Sequence, residues 1–113
     1  MTDSVVRWCG MGLLLLSLAL ASGTSLHAQD AATLFKTKCA VCHSADGSGS
    51  GTMGKQLGIK DLRSEEVQKQ TDAQLNDSIT NGKGQKMPAY KGKLPDDQIA
   101  GLVGAIRDLA KKK

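Results

Sequence analysis

A five-residue stretch, Cys39-Ala40-Val41-Cys42-His43, constrains this chain more than any other feature of its sequence. A Cys-x-x-Cys pair followed directly by a histidine is typical of covalent haem attachment. Each thiol can add to one vinyl group of the porphyrin, and the adjacent imidazole can then reach the iron. A bare Cys-x-x-Cys pair can also be a redox dithiol, half of a zinc site or a disulfide, and the motif alone leaves these alternatives open.

The N-terminal segment, residues 1–28, has the pattern of a secretory signal. Residues 11–21 are almost all apolar, an arginine precedes them, and small or polar residues follow. This apolar run is too short for a comfortable membrane span. We predict cleavage after Ala28, with Ala21 as a competing site and retention of the segment as a membrane anchor as the alternative. Residues 29–113 would then form one domain, periplasmic or otherwise exported.

The predicted mature chain is short and poor in aromatic residues, with one Phe (Phe35) and one Tyr (Tyr90). Such a small domain has little apolar surface to bury. A bound haem would supply the missing apolar area, so we expect the apoprotein to be largely unfolded. The formal net charge of +4 at pH 7 favours acidic protein partners over nucleic acid, since no Arg-rich stretch or aromatic platform is present.

A helix is predicted before the cysteines, and a loop is predicted after them. Asp30 is the expected N-cap of the helix, which runs into the cysteines. Residues 44–54 are rich in glycine and are expected to be loop. Their glycines would let backbone pass close to the haem edge, or would simply make a flexible surface loop. The residues expected on one helical stripe are Leu34, Phe35, Lys38 and Val41.

Three further helix starts are predicted downstream. Ser64 is expected to cap a short helix, and Thr71 to open a helix with a capping box that ends at Asn81-Gly82. The last helix is predicted to begin near Pro95. No convincing strand pattern is present. Gly101 and Gly104 are expected to face solvent on the last helix, and its predicted buried face consists of Ile99, Leu102, Val103, Ile106 and Leu109.

The axial ligands of the haem iron are predicted to be His43 and Met87. His43 follows from its position in the motif, and the other histidine, His27, falls in the signal segment. Met87 precedes a proline, which restricts the backbone to an extended turn that can present the thioether inward. Met53 lies in the Gly-rich loop, which is short for a segment that must reach the opposite haem face.

Taken together, these motifs resemble those of the class I c-type cytochromes, and the resemblance extends over residues 29–113. It implies a small all-α fold of about three to five helices around one covalently bound haem c. It also implies thioethers from Cys39 and Cys42, axial ligation by His43 and Met87, and the function of a monomeric electron carrier rather than an enzyme.

The sequence departs from the pattern of that family at a few positions. Ala31 stands where the family usually has a glycine at a helix crossing. Ala105 occupies a position in the last helix where the family often has an aromatic residue. The loop after His43 lacks the proline whose carbonyl often orients the imidazole. A carbonyl of Thr52 or Met53 is expected to replace it.

Four lysines, Lys83, Lys86, Lys91 and Lys93, surround Met87 with no acidic residue between them. If this segment lies at the rim of the haem site, it forms a positive docking face for an acidic redox partner. The simpler interpretation is a run of solvated lysines.

Two other functions stay open from the sequence. The first is a haem c protein with a labile distal ligand that acts as a sensor of small ligands or as an enzyme. The second is an exported dithiol oxidoreductase that uses the thiols of Cys39 and Cys42, although the alternating strands of a thioredoxin-like fold are missing.

Overall fold

The computed structural model describes residues 26–112, and this part of the chain is helical. Extended pairing within it is limited to two isolated bridges, Lys83 with Met87 and Lys91 with Leu94. The all-α prediction is therefore confirmed. No helix among these residues combines the length and the apolar character that a membrane crossing needs. The helices are α1 (Leu26–Lys38), α2 (Ala40–His43), α3 (Thr52–Leu57), α4 (Glu65–Gln68), α5 (Asp72–Asn81) and α6 (Asp96–Lys111).

The start of α1 differs from the prediction. The helix begins at Leu26, so Asp30 lies inside it and is not its N-cap. The sequence of α1 holds three alanines and neither Gly nor Pro, so helix propensity carries the helix past the aspartate. Most of the predicted signal segment, with the competing site at Ala21, lies outside the described residues. Cleavage after Ala28 stays a prediction.

The predicted caps of the later helices are confirmed. The Ser64 hydroxyl accepts a hydrogen bond from the Val67 amide at 3.3 Å and caps α4. Thr71 and Gln74 form a reciprocal capping box at the start of α5, with distances of 3.1 and 2.9 Å. These caps satisfy amide groups that a helix N-terminus leaves unpaired. Pro95 precedes α6 as expected.

The core forms where α1 packs against α6. Ala31 is buried there, and a Cβ atom built at Gly101 would lie 3.3 Å from the Ala31 Cβ. Gly101 is therefore half-buried in the crossing, and the expectation that it faces solvent was wrong. The close approach of the two helices is made by glycine on α6 and alanine on α1. Ala105 packs against the edge of the same core.

Arg107 fastens α6 to the connection between α4 and α5. Its Nε and Nη2 atoms donate to the Asp72 carboxylate at 3.0 and 2.8 Å. Nη1 donates to the backbone carbonyl and the side-chain oxygen of Gln68, and Nη2 also reaches the Gln70 carbonyl. A guanidinium carries five N–H donors in a rigid fork, so every donor of Arg107 is used. The helix connection is thereby held at a fixed position along α6.

Two expectations for the segment around the cysteines were wrong. Val41 does not continue the stripe of α1: the helix stops at Lys38, a new short helix starts at Ala40, and Val41 is 71% exposed. The Gly-rich segment is not all loop, because α3 begins within it at Thr52. This helix was not predicted because its residue Gly54 has a low helix propensity. Gly54 is buried, and a Cβ there would lie 2.7 Å from the Cys42 carbonyl oxygen and would overlap that of Gly49.

Gly104→Ala is expected to stabilise the folded protein by about 0.5–1 kcal/mol, because alanine is the better helix former and nothing lies within 4 Å of a Cβ built at this site. Gly101→Ala should gain less or destabilise, because its Cβ meets Ala31. The denaturant midpoints of the two haem-loaded variants test this difference. A clear loss of stability in Gly104→Ala would show that this face of α6 is packed.

Candidate functional site

A cavity of about 340 Å³ opens beside the α1–α6 core. It is lined by residues of the cysteine motif, by residues 57–60 after the Gly-rich segment, and by the segment around Met87. The cavity therefore brings together all of the predicted site residues: Cys39, Cys42, His43 and Met87. Its walls are mainly apolar and include Phe35, Leu62, Val67, Leu75, Ile79 and Ile106.

The cysteine motif is positioned by the end of α1. The Cys39 amide bonds to the Phe35 carbonyl at 2.9 Å, and the His43 amide bonds to the Cys39 carbonyl at 2.9 Å. Phe35 is 3% exposed, so the residue that starts this chain of bonds is fixed in the core. Both cysteines are half-buried and unbridged. The chain then leaves the helix at Ser44, which has a positive φ of 64°.

Burial sets the protonation of the site. Burial, with a smaller effect of the nearby Cys42, raises the pKa of the Cys39 thiol to about 11. Redox dithiols depend on a lowered thiol pKa, so this environment does not suit a reactive dithiol. Burial lowers the pKa of His43, which favours the neutral imidazole that binds a metal.

The expected orientation of His43 by a neighbouring carbonyl was wrong. Its Nδ1 atom is buried and finds no hydrogen-bond partner in the described part of the chain. Thr52 and Met53 lie in α3, where backbone carbonyls are directed along the helix axis to bond residues four positions on. The histidine is instead held through its backbone, since its carbonyl accepts from the Gly49 amide at 2.8 Å.

The Gly-rich segment does not form a cavity wall. Residues 44–54 are absent from the lining, and the wall on this side is made by residues 57–60. Gly47 and Gly49 have φ angles of 80° and 66° and are buried beneath Leu109 and Ile59. These glycines serve the packing of the segment on its own protein. Of the two alternatives that the sequence left open for them, a backbone passing along the haem edge is not favoured.

Residues 82–91, which we term the methionine loop, place Met87 at the cavity. The loop leaves α5 at Gly82, where φ is 72°. Lys83 and Met87 exchange backbone hydrogen bonds of 3.0 and 3.2 Å, which fold the loop back on itself. Met87 is half-buried and lines the cavity, whereas Met53 is 44% exposed and does not.

The far end of the methionine loop returns to the helix from which it started. The Tyr90 amide donates to the Ile79 carbonyl at 3.1 Å, and the Lys91 amide donates to the Thr80 carbonyl at 3.0 Å. Both acceptors belong to the last turn of α5. The loop therefore begins and ends on one helix turn, and its middle part spans the cavity.

Two side chains of the methionine loop reach the opposite rim. Lys86 Nζ donates to the Leu57 carbonyl at 2.8 Å, and Tyr90 Oη donates to the Lys38 carbonyl at 3.2 Å. Burial raises the pKa of the Tyr90 phenol, so it stays protonated and able to donate. Neither contact could be predicted from the sequence, because the partners lie 29 and 52 residues away and no local pattern signals them.

The cavity fits a haem better than a bare metal ion. No group of three or more His, Cys, Asp and Glu side chains that could hold an ion comes together among residues 26–112. The cavity offers one neutral imidazole, one thioether and two thiols within apolar walls. Neutral nitrogen and sulfur donors in an apolar surround match the needs of a covalently attached haem.

Comparison with known proteins agrees with this chemistry. Residues 27–104 match the family described as cytochrome c oxidase, cbb3-type, subunit III. The chain is 37% identical over 82 residues to cytochrome c6 of Leptolyngbya boryana, covering 70% of this chain and 88% of that relative. It is 32% identical over 108 residues to cytochrome c6 of Picosynechococcus sp., covering 88% of this chain and 91% of that relative.

A larger protein and a solved structure are also similar. The cbb3-type cytochrome c oxidase subunit CcoP of Azospirillum brasilense is 31% identical over 96 residues, which cover 84% of this chain but 32% of that subunit. The solved structure of the c-type cytochrome KustC0563 superposes with a TM-score of 0.65 at 28% identity, covering 70% of this chain and 95% of the other. The family implies covalently bound haem c, and the chain belongs to the class I c-type cytochromes.

Proposed function

We propose that this protein is an exported carrier of single electrons with one haem c. In this proposal Cys39 and Cys42 form the thioethers, and His43 and Met87 are the axial ligands. The observation that carries it is the convergence of these side chains, from distant parts of the chain, on one apolar cavity. The similarity to proteins named cytochrome c6 supports the carrier function. Export rests on the signal-like sequence of residues 11–21.

The contribution of the protein follows from its own groups. Bound haem c supplies an iron that changes between Fe(III) and Fe(II) by one electron. The neutral imidazole of His43 and the thioether of Met87 would fill both axial positions, which leaves none for a substrate. A thioether favours the reduced iron and raises the potential. The buried side chains of Phe35, Val67 and Ile79 keep water from this side of the site.

The lysines of the methionine loop and the residues just after it are the proposed docking face for an acidic redox partner. Lys83, Lys86, Lys91 and Lys93 are all exposed, and the first two also line the cavity. Their positive charge would attract an acidic surface and orient it toward the iron. Lys86 Nζ donates to the Leu57 carbonyl, which places this amine at the cavity lining.

Replacing Cys39 and Cys42 together by alanine should abolish stable haem incorporation, because the thioethers hold the haem and the haem completes the core. Extraction with acidified acetone measures this: haem should stay with the wild-type protein and be missing from the double variant. Met53→Ala is the control and should keep its haem. Wild-type protein that releases its haem on extraction would contradict covalent attachment.

Met87→Ala should open the iron to water or added ligands and lower the midpoint potential. The near-infrared band that arises from sulfur-to-iron charge transfer in the oxidised protein should disappear. The matched variant Met53→Ala should keep both the band and the potential, since its side chain lies outside the cavity. If the band survives in Met87→Ala and is lost in Met53→Ala, the ligand has been assigned to the wrong methionine.

The docking proposal is tested with small redox probes of opposite charge. In the Lys91→Glu/Lys93→Glu variant, oxidation by hexacyanoferrate(III) should slow by about three- to tenfold at low ionic strength, and oxidation by the cation tris(1,10-phenanthroline)cobalt(III) should speed up. Added salt should remove both effects. The control Lys36→Glu/Lys112→Glu makes the same change in net charge at residues outside the cavity lining. Equal effects in the two variants would show that overall charge, not a docking face, sets the rates.

A further inference from the structure

The methionine loop is attached to the rest of the protein in two different ways. Its ends are fixed by backbone, through Gly82 and through the amides of Tyr90 and Lys91 on the last turn of α5. Its attachment to the opposite rim consists of side-chain bonds, from Lys86 to Leu57 and from Tyr90 to Lys38. Breaking these side-chain bonds would leave the loop held by its backbone bonds to α5 and by the packing of Met87 and Tyr90 on the core.

The acceptors on the opposite rim share one structural feature. Leu57 is the last residue of α3, and Lys38 is the last residue of α1. The final carbonyls of a helix have no intrahelical partner and are free to accept bonds from elsewhere. Both acceptor residues line the cavity, as do both donor residues. The two bonds therefore join the methionine loop to other parts of the cavity lining, one just before and one just after Met87 in the chain.

The two donor side chains, those of Lys86 and Tyr90, can hold the methionine loop closed and still let it open. Lys86 brings a charged donor on a flexible stem, and its bond to Leu57 is 2.8 Å long. Tyr90 is a rigid, half-buried ring whose hydroxyl bond is 3.2 Å long. Each bond lies near the surface, where water competes for the same groups, so each contributes modestly. Together they bias the loop toward the arrangement in which Met87 faces the cavity.

We infer that Lys86 and Tyr90 are positioning residues that latch the methionine loop across the cavity mouth and so hold Met87 in place as a ligand. This inference rests on the proposed ligation by Met87. The inference also distinguishes Lys86 from Lys91. Both lysines add positive charge to this surface, but Lys86 also donates a hydrogen bond to the Leu57 carbonyl, and Lys91 makes no such bond within residues 26–112. Displacement of Met87 requires the loop to open, and opening requires both bonds to break.

The experiment uses the oxidised haem-loaded protein with imidazole as the competing ligand. Tyr90→Phe and Lys86→Gln should each raise the apparent affinity for imidazole by about three- to tenfold, the factor that one ordinary hydrogen bond supplies. Loss of the sulfur-to-iron band reports the displacement. In the double variant the factors should multiply, because one opening event breaks both bonds. Lys91→Gln removes the same charge without removing a latch, and it should bind imidazole like the wild type.

Amide hydrogen exchange at Met87 provides a second readout that does not depend on the iron ligand. Its amide bonds to the Lys83 carbonyl, and it should exchange faster in both latch variants and at the wild-type rate in Lys91→Gln. Unchanged exchange and imidazole affinity in Tyr90→Phe and Lys86→Gln would overturn the latch. Equal effects in Lys86→Gln and Lys91→Gln would reduce the lysine's role to charge and overturn its part in the latch. Wild-type protein without the sulfur-to-iron band would refute ligation by Met87, and the exchange rates would then decide the latch alone.

Discussion

The close contact of α1 with α6 is the interaction on which the rest of this structure depends. Gly101 lets the helices approach at Ala31, and this approach buries Phe35 in the core. The cysteine motif follows α1 directly, so its position relative to the cavity wall formed by α6 is set by the same contact. A change in the crossing would therefore displace the thiols and the histidine together. The packing of α1 against α6 therefore also determines where the side chains of the site lie.

The sequence predicted those features that neighbouring residues determine. The caps at Ser64 and Thr71 depend on contacts within a few positions, and they were confirmed. The predicted buried face of α6 was confirmed except at its end, where Leu109 is only half-buried. The environment of Gly101 could not be predicted, because it depends on which residue of α1 faces it. α3 was missed for a related reason: Gly54 disfavours a helix locally and is required there by the Cys42 carbonyl, a contact that only the fold creates.

The candidate site also combines features that could be predicted from the sequence with features that could not. The convergence of the Cys-x-x-Cys-His motif and Met87 on one cavity agrees with their sequence patterns. The acceptor expected for His43 was not found, since Thr52 and Met53 became part of a helix. The two halves of the site are also held differently. The histidine follows α1 closely and is tied to it by backbone bonds through Cys39, whereas Met87 depends on a loop with few contacts across the cavity. Stability is not uniform across such a site, and the methionine side is expected to open first.

The return of the methionine loop to its starting point has a consequence for how such proteins diversify. Because Gly82 leaves α5 and Tyr90 comes back to it at Ile79, the loop is a compact excursion whose ends lie close together. Loops of this kind tolerate changes of length and sequence, since their ends impose no strain on the elements they join. The loop also carries the proposed axial residue Met87 and three of the lysines proposed for docking. An exchange of this one module would retune the cofactor and the choice of partner together, while the helix crossing that supports both stays as it is.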